Sequence, residues 1–457
     1  MLKKLKTVGV GALPEGELTF GRKFNVFTGD NGLGKTFVLD LVWYALTRRW
    51  PHEVNPTLSC GYMALPATGA AKPMIQFDLD TIGRKALKNY QVRFDFERQA
   101  WVGRPGRPYS SGLVIYAQAD GGFCVWDPAK NYWVKRGGID LQEREPAFVF
   151  TPREVWEGQY KFADSVGGST KTKCVLQGLL LDWVLWQRNP NSPEFPVLKK
   201  LLSRLSPPEF PILVGDPKKV SLDDVREIPT VKLPYGEVPA LWGSSAIRRI
   251  LSLAYILVWS FSEHVKAAEL LRMTPTSQIT LLFDELDAHL HPKWQRTVMG
   301  ALMHAVEEMI RAFVRKRNVR CNVQIMASTH SPLVMAALED EFDPATDKWF
   351  DFDFGDEGRV IQITDRPFVR QGQSDEWLKS QAFDLLSTRS PGVERTLLDA
   401  ARILGRYTDG EAQVGVSRKP PQEVRSAFEE LQRRLPATDA FLLRFRAICE
   451  MYGWELS

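Results

Sequence analysis

Cysteine is scarce in this chain of 457 residues, and none of its cysteines is close to another in the sequence. The five stand singly at Cys60, Cys124, Cys174, Cys321 and Cys449. Because no C-x-x-C pair is present, the sequence argues against a zinc site and against a disulfide framework. We therefore expect a protein of the reducing cytoplasm.

Long apolar runs are also missing. The longest run, residues 250–261, has about two-thirds of the length that a membrane span requires, so it predicts a buried helix. The N-terminal segment MLKKLKTVGVGALPEG lacks the continuous apolar stretch and the cleavage site of a secretion signal. No sustained heptad array is present, which excludes a long coiled-coil arm. The sequence therefore predicts no membrane partner.

Charge of one sign is nearly balanced by charge of the other. Lysine and arginine number 59 and the acids 55, which leaves a net charge of +4. A charge this small for the length makes no strong prediction about nucleic acid or anionic membranes. DNA binding would need a local basic patch, for which residues 311–320 are the candidate.

A glycine-rich octapeptide, GDNGLGKT at residues 29–36, is the most informative motif present. It matches the phosphate-binding pattern G-x-x-x-x-G-K-[ST], in which backbone N–H groups face phosphate oxygens, the lysine bridges the outer phosphates and the hydroxyl binds Mg²⁺. A strand-like segment precedes the motif and a helix-like segment follows it, as a phosphate loop requires. The predicted nucleotide-binding residues are Gly29, Asp30, Asn31, Gly32, Leu33, Gly34, Lys35 and Thr36, with Thr36 also a metal ligand.

A second motif, ITLLFDELDAHLHP at residues 279–292, places two carboxylates after a buried strand. The carboxyl edge of an open α/β sheet is where its ligands bind. We expect Asp284 to hold Mg²⁺ through its water shell and Glu285 to polarise the water that attacks the γ-phosphate. His289 and His291 are interpreted as loop-packing residues rather than a metal pair.

Residues 286–292, LDAHLHP, resemble the corresponding stretch of the ABC-type ATPases of the RecF, SMC and overcoming-lysogenization-defect group. The resemblance implies that Asp287 is the acid of the D-loop, which reaches a nucleotide across a dimer interface. STHSP at residues 328–332 is similar to the switch-histidine motif of that group, which implies that His330 reaches the γ-phosphate.

Two further features of that group are weaker in this sequence. The segment WGSSAIRR at residue 242 resembles the signature motif, so Ser244 or Ser245 would cap a helix whose N-terminus binds the γ-phosphate of a second subunit. In this segment Ala246 replaces the usual glycine of the signature motif.

A glutamine that senses Mg²⁺ is also expected from the resemblance. Gln118 ends the stronger strand and is taken as the metal ligand, while Gln76 lies at the more usual separation from the phosphate loop and remains an alternative.

The resemblance implies an α/β fold: a P-loop ABC-type ATPase head with a mixed central sheet, a β-rich N-terminal lobe, a helical insert and a C-terminal helical appendage. We predict four parts. Residues 1–150 form an N-terminal ATPase lobe with the phosphate loop, and residues 151–240 form the helical insert. Residues 241–365 form the C-terminal ATPase lobe with the signature, acidic strand and switch histidine, and residues 366–457 form the appendage.

The resemblance is strongest to stand-alone ATPases of prokaryotic anti-phage defence systems, of the Septu or PARIS type. It implies ATP and Mg²⁺ as cofactors, and a homodimer or higher oligomer in which two subunits sandwich ATP. It also implies a separately encoded effector protein. One alternative is a RecF-like, DNA-binding repair ATPase. Another is a Toprim-type nuclease, for which Asp351 and Asp353 in DFDFGD would be the metal ligands.

Overall fold

The computed structural model describes residues 1–11, 13, 15–81, 86–104, 109–137, 139–163, 171–314, 321–355, 360–380, 382–383, 389–408 and 419–455. The chain divides into two compact units. One comprises Met1–Trp377 with Gln381–Phe383, and the other Leu378–Ser380 with Asp384–Ser457. In the described part of the chain, no helix combines the length and the apolar character needed to cross a bilayer.

The strands, in chain order, are β1 (Leu2–Val8), β2 (Gly16–Thr19), β3 (Phe24–Gly29), β4 (Met74–Leu79), β5 (Leu87–Asp95), β6 (Ala100–Val102), β7 (Leu113–Ala117), β8 (Phe123–Trp126), β9 (Trp133–Arg136), β10 (Ile139–Gln142), β11 (Ala147–Phe150), β12 (Gln159–Ala163), β13 (Lys171–Leu176), β14 (Leu213–Val214), β15 (Thr230–Leu233), β16 (Gly236–Pro239), β17 (Gln278–Phe283), β18 (Asn322–Ser328), β19 (Lys348–Phe354) and β20 (Ile361–Arg366). The α-helices are α1 (Lys35–Thr47), α2 (Pro51–Val54), α3 (Pro152–Glu157), α4 (Leu179–Arg188), α5 (Glu194–Leu205), α6 (Ser245–Leu270), α7 (Pro292–Gln295), α8 (Val298–Phe313), α9 (Pro332–Leu338), α10 (Ser374–Lys379), α11 (Pro391–Thr408), α12 (Gln422–Arg434) and α13 (Ala440–Met451).

An eight-stranded sheet, in the order β11–β8–β7–β17–β18–β3–β19–β20, lies at the centre of the first unit. Strands β7, β17, β18, β3 and β19 are parallel to one another, whereas β8, β11 and β20 enter antiparallel pairs. Because parallel strands end at the same edge, the residues that follow β3, β7, β17 and β18 lie side by side. This mixed sheet, flanked by helices, confirms the predicted α/β fold class.

A second, antiparallel sheet accounts for the β-rich N-terminal lobe. Its order is β2–β1–β4–β5–β6, so the hairpin that opens the chain is paired with strands from residues 74 to 102. Alternate residues of this sheet, such as Leu5, Ile75 and Val92, are buried in a core shared with α1. Gln324 of the central sheet joins the two sheets, because its amide exchanges hydrogen bonds with the N–H and C=O of Leu2 at 3.1 and 2.9 Å.

The long helix α6 packs with α5 and α8 in the larger core of the first unit. Its central residues are buried on nearly all sides, which explains why residues 250–261 form the longest apolar run in the sequence. The segment 151–240, predicted as a helical insert, contains α4 and α5 but also the short strands β12 to β16. It is therefore a mixed segment rather than a helical one.

The described residues of the second unit form the amphipathic helices α11, α12 and α13, which bury a core of their own. That core includes Leu404, Val424, Phe428, Leu431 and Phe445. Arg389 pairs with Asp439 at 2.6 Å, at the point where the Asp439 carboxylate caps α13. The charged C-terminal sequence thus folds because its apolar residues recur at helical spacing.

Candidate nucleotide-binding site

The phosphate loop connects β3 to α1. At Gly29 the backbone has φ 123°, and a Cβ there would lie 2.1 Å from the carbonyl oxygen of Phe352, so only glycine fits. Gly34 has φ 88° and precedes the helix, and its position carries no side-chain cap. The first N–H groups of α1 are therefore directed to the loop, as an anion-binding helix terminus requires.

Lys35 lies against the loop that it follows. Its ammonium donates hydrogen bonds to the carbonyl oxygens of Gly29, at 2.8 Å, and Asp30, at 2.7 Å. Burial lowers the pKa of Lys35, and the negative charge of Asp284 opposes this effect. The hydrogen bonds thus hold the ammonium at the loop, where it can bind phosphate oxygens.

Thr36 and Asp284 connect the phosphate loop to the acidic strand. The hydroxyl of Thr36 donates to Asp284 Oδ2 at 2.8 Å, and the hydroxyl of Ser328 donates to Asp284 Oδ1 at 2.9 Å. Asp284 is only 3% exposed, and burial raises the pKa of its carboxyl. Two residues predicted as metal ligands from distant motifs therefore lie in direct contact.

Glu285 stands in a strained backbone conformation. Its φ is 50°, in the left-handed region that non-glycine residues rarely adopt. Its N–H donates to the hydroxyl of Ser328 at 2.7 Å. The conformation turns the chain sharply after β17, so that Glu285 lies on the cleft beside Lys35 and His330.

Asp287 and His330 are hydrogen-bonded to each other within one chain. The Asp287 carboxylate accepts hydrogen bonds from the Thr329 hydroxyl at 2.5 Å and from the His330 N–H at 3.2 Å, through the same oxygen. Burial lowers the pKa of His330, with Lys35 acting in the same direction, so the neutral imidazole is favoured. Asp287 thus positions the turn that carries His330.

A cleft of about 590 Å³ unites these groups. Lys35, Thr36, Asp284, Glu285 and His330 all line it. The structure therefore brings the phosphate loop together with the acidic strand end and the histidine turn, which follow it in the sequence by some 250 and 300 residues.

The two candidate glutamines occupy different sheets. Gln118 follows β7, in register with Asp284 after β17, and is 2% exposed; neither polar atom of its amide has a partner among the described residues. Gln76 lies in β4 of the antiparallel sheet, where its amide bonds with Asn89 and Gln91 at 3.1 and 3.0 Å. The structure thus places Gln118, and not Gln76, beside the acidic strand end.

The signature-like serines lie elsewhere in the chain. Ser244 caps α6, because its hydroxyl accepts the N–H of Ile247 at 3.4 Å. Ser245 lines a second cleft, of about 370 Å³, together with Arg153 and Arg248. Within one chain the structure does not bring Ser244 and Ser245 to the cleft of the phosphate loop.

Arg249 is a residue whose role was missed in the sequence. From the first turns of α6 its guanidinium donates to three carbonyl oxygens: Ala119 at 3.1 Å, Asp284 at 3.2 Å and Glu285 at 3.3 Å. Arginine suits this position because its several N–H donors diverge in a fixed plane. The available signal was a charge, one turn after Ser245, at the start of the apolar run of α6.

Asp40 was also missed. It lines the cleft from α1, is 7% exposed, and its Oδ1 accepts the hydroxyl of Tyr116 at 3.2 Å. Burial raises the pKa of Asp40 to about 7, with Asp284 acting in the same direction. The signal in the sequence was an acid within a helix that is otherwise apolar.

Other candidate metal ligands have different partners. Asp351 accepts the Thr28 hydroxyl at 3.1 Å and pairs with Arg366 at 3.4 Å, while Asp353 is exposed. His291 caps α7, accepting the N–H of the residue two positions on. Within the described ranges, no group of three or more histidine, cysteine or acidic side chains is arranged to hold a metal.

The chain is similar to one protein family and to several known proteins. Residues 199–336 match the AAA_21 family, described as "AAA domain, putative AbiEii toxin, Type IV TA system". Septu protein PtuA of Bacillus thuringiensis is 22% identical over 399 residues, which are 86% of this chain and 86% of that protein. The Retron Vc95 probable ATPase of Vibrio cholerae serotype O1 biovar El Tor is 39% identical over 61 residues, or 13% of this chain and 9% of that protein.

Among solved structures, the SMC head domain from Thermotoga maritima is 13% identical, with a TM-score of 0.34, and the match covers 80% of this chain and 98% of that one. The family match and the Septu relative confirm the resemblance inferred from the motifs. This chain is similar to the ABC-type ATPases of the RecF, SMC and overcoming-lysogenization-defect group, and its residues 199–336 match the AAA_21 family.

Proposed function

We propose that the protein hydrolyses ATP as a homodimeric switch, in the cytoplasm, and controls a separately encoded effector in anti-phage defence. One observation carries the catalytic part. The phosphate loop, Asp284, Glu285 and His330 line a single cleft, although they come from three distant segments. Convergence of a phosphate cradle, a metal-binding acid and a candidate base is the arrangement that phosphoryl transfer to water requires.

The residues of the cleft divide the work of hydrolysis. The N–H groups of the loop and Lys35 hold the outer phosphates. Glu285 accepts a proton from the water that attacks the γ-phosphorus, and ADP leaves as the bond to its β-phosphate oxygen breaks. His330, kept neutral by burial, donates a hydrogen bond to the γ-phosphate.

The residues present fit a bound Mg²⁺ ion. Thr36 offers a hydroxyl oxygen, Asp284 offers carboxylate oxygens, and the buried Gln118 amide has no partner among the described residues. Oxygen donors in small number, with waters and phosphate oxygens completing the shell, are what Mg²⁺ prefers. The ion would neutralise charge that develops on the phosphates.

Two mutants test which glutamine senses the metal. Gln118→Ala is expected to lower the apparent affinity for Mg²⁺ in ATP turnover by about tenfold or more, because it removes the unpartnered amide beside Asp284. Gln76→Ala, the matched control, is expected to leave the apparent affinity for Mg²⁺ within about twofold of normal, since the Gln76 amide is hydrogen-bonded to neighbouring strand residues. Phosphate release measured against Mg²⁺ concentration separates them. Equal effects of the two mutations would contradict the assignment.

The location of Ser245 supports the dimer. Ser245, with Arg248 and the N-terminus of α6, lines a cleft separate from the phosphate loop. Those groups suit an anion, since a helix N-terminus and arginine both favour negative charge. We propose that this surface binds the γ-phosphate held by a second subunit, so that hydrolysis removes the bridge between the two chains.

Light scattering tests the dimer directly. The purified protein is expected to double its mass when ATP and Mg²⁺ are added. Ser245→Arg should prevent the doubling and lower turnover by about a hundredfold, because a bulky side chain would block the second chain's phosphate, yet ATP binding to the single chain should persist. Ser203→Arg, an exposed serine of α5, is the control. A monomer that hydrolyses ATP at the normal rate would refute the dimer.

The defence role rests on the resemblance to Septu-type ATPases and on the similarity to Septu protein PtuA along most of this chain. The helical second unit, which has its own core, is a candidate surface for the effector. The alternative function is a DNA-binding repair ATPase. It depends on the basic residues 311–320, of which 315–320 lie outside the described residues. Turnover stimulated by DNA would favour that alternative.

A further inference from the structure

Asp40 occupies a position in the cleft that the proposed hydrolysis does not use. It lies four residues after Thr36 on α1, so the two side chains share one face of the helix. That face is directed to the ends of β7 and β17, because Tyr116 of β7 donates to Asp40 Oδ1 at 3.2 Å and Thr36 donates to Asp284 at 2.8 Å. Asp40 therefore lines the same cleft as the candidate metal ligands.

The carboxylate of Asp40 is incompletely partnered. Oδ1 accepts one hydrogen bond from a neutral hydroxyl, and Oδ2 accepts none from the described residues. No cationic side chain of the described residues forms an ion pair with it, although it is 7% exposed. A buried acid without a cation is unfavourable unless a positive charge arrives or a proton is retained.

Gln118 provides a second, independent observation. Both of its polar atoms are buried without a partner among the described residues, and its amide nitrogen lies close to Gly61, another residue of the cleft wall. Native proteins rarely leave such groups unpaired, and when they do the groups often serve a ligand or an ion. The Gln118 amide thus has unused hydrogen-bonding capacity directly behind Gly61, in the wall of the cleft that Asp40 also lines.

We propose that Asp40 is an additional residue of the metal site, which binds Mg²⁺ through a water of its coordination shell. This inference rests on the proposed ATPase function. Thr36, Asp284 and Gln118 are the candidate metal ligands already named, and the described residues form no cluster of three acidic or imidazole ligands, so Asp40 is assigned to the water shell of the ion. Mg²⁺ keeps several of its waters in nucleotide sites, and a carboxylate that accepts a hydrogen bond from such a water stabilises the ion electrostatically.

Tyr116 has a defined part in this arrangement. By donating to Oδ1, its hydroxyl orients the carboxylate and leaves Oδ2 for the metal-bound water. Tyr116 is 1% exposed, so the orientation is fixed by packing as well as by the hydrogen bond. Tyr116 is accordingly a positioning residue, which acts through Asp40.

Binding of a fluorescent ATP analogue tests the proposal without turnover. The analogue is titrated in EDTA and at increasing Mg²⁺ concentration, using the full chain. Asp40→Asn is expected to raise the Mg²⁺ concentration needed for half-maximal effect by about tenfold, and to leave the affinity in EDTA unchanged. Tyr116→Phe is expected to raise this half-maximal Mg²⁺ concentration by a few-fold.

Asp182→Asn is the matched control. Asp182 is likewise buried, at 6% exposed, and accepts a tyrosine hydroxyl, that of Tyr255 at 2.7 Å, but it lies on α4 and does not line the cleft. Its substitution should not change the Mg²⁺ midpoint. If Asp40→Asn fails to fold, Tyr116→Phe alone decides the question.

The outcomes separate this inference from the proposed function. A normal Mg²⁺ midpoint in Asp40→Asn, with a lowered melting temperature, would show a structural role and overturn the inference, while Asp284→Ala would still lose its response to Mg²⁺. A shift of equal size in Asp182→Asn would also overturn it. If the unmodified chain bound the analogue equally well with and without Mg²⁺, the proposed function itself would fail.

Discussion

Glu285→Gln is expected to lower ATP turnover by about a hundredfold to a thousandfold, because the amide cannot accept the proton of the attacking water. The substitution keeps the shape of the side chain and leaves the hydrogen bond from the main-chain N–H to Ser328 intact. Nucleotide binding should therefore persist. Phosphate release in a single turnover measures the chemical step, and light scattering should show an ATP-loaded dimer that no longer dissociates.

The control for this mutant is Glu308→Gln. Glu308 lies on α8, pairs with Lys200 and Arg204 and does not line the cleft, so its substitution should leave turnover unchanged. Two results would contradict the role of Glu285. Turnover within about threefold of normal would exclude it as the base, and an ATP-loaded mutant that stays monomeric would exclude the sandwich.

Lys35→Ala is expected to weaken ATP binding by about a hundredfold or more, because two or more charge-assisted hydrogen bonds to phosphate are lost. The ammonium lies within 2.8 Å of two loop carbonyl oxygens, so it is already placed at the phosphate cradle. Equilibrium binding of a fluorescent ATP analogue provides the measurement. Turnover at saturating ATP should fall as well, since the positive charge of Lys35 also stabilises the negative charge on the transferred phosphoryl group.

Lys293→Ala serves as its control, because Lys293 is an exposed lysine near the start of the short helix α7. The melting temperature must also be compared, since removing Lys35 leaves two loop carbonyl oxygens without their donor. Tight ATP binding by a folded Lys35→Ala protein would mean that the loop holds phosphate through its backbone alone, or that the nucleotide binds elsewhere.

Much of the cleft could be predicted from the sequence, because its motifs are short and each is contiguous. A phosphate loop requires glycines, lysine and a hydroxyl within eight residues, and that pattern is readable without knowledge of the fold. Asp284 was identifiable in the same way, since it follows an apolar run. The mixed central sheet was expected from the resemblance to the ABC-type ATPases that these motifs carry.

The choice between the two glutamines could not be made from the sequence. Gln76 and Gln118 both end or interrupt β-prone runs, and local alternation does not say which sheet a strand joins. Strand partners are set by long-range packing: Ala117, which precedes Gln118, pairs with Phe283 across 166 positions of the chain. The contacts of Arg249 with three carbonyl oxygens were hidden for the same reason.

The prediction of a helical insert at residues 151–240 was incomplete for a local reason. The short strands β14, β15 and β16 span two to four residues each, and the prolines around them disguise their alternation. Helices α4 and α5 were visible because their leucines recur at helical spacing. Apolar periodicity thus detected the long elements and missed the short ones.

The left-handed backbone conformation of Glu285 lowers the stability of the fold at the position whose side chain is proposed for catalysis. Holding a glutamate there costs about 1 kcal/mol relative to glycine, which adopts that conformation freely. Laboratory selection for heat resistance would therefore favour glycine at this site and delete the very carboxylate that we propose for catalysis. A thermostable variant that has lost turnover should be sequenced first at codon 285.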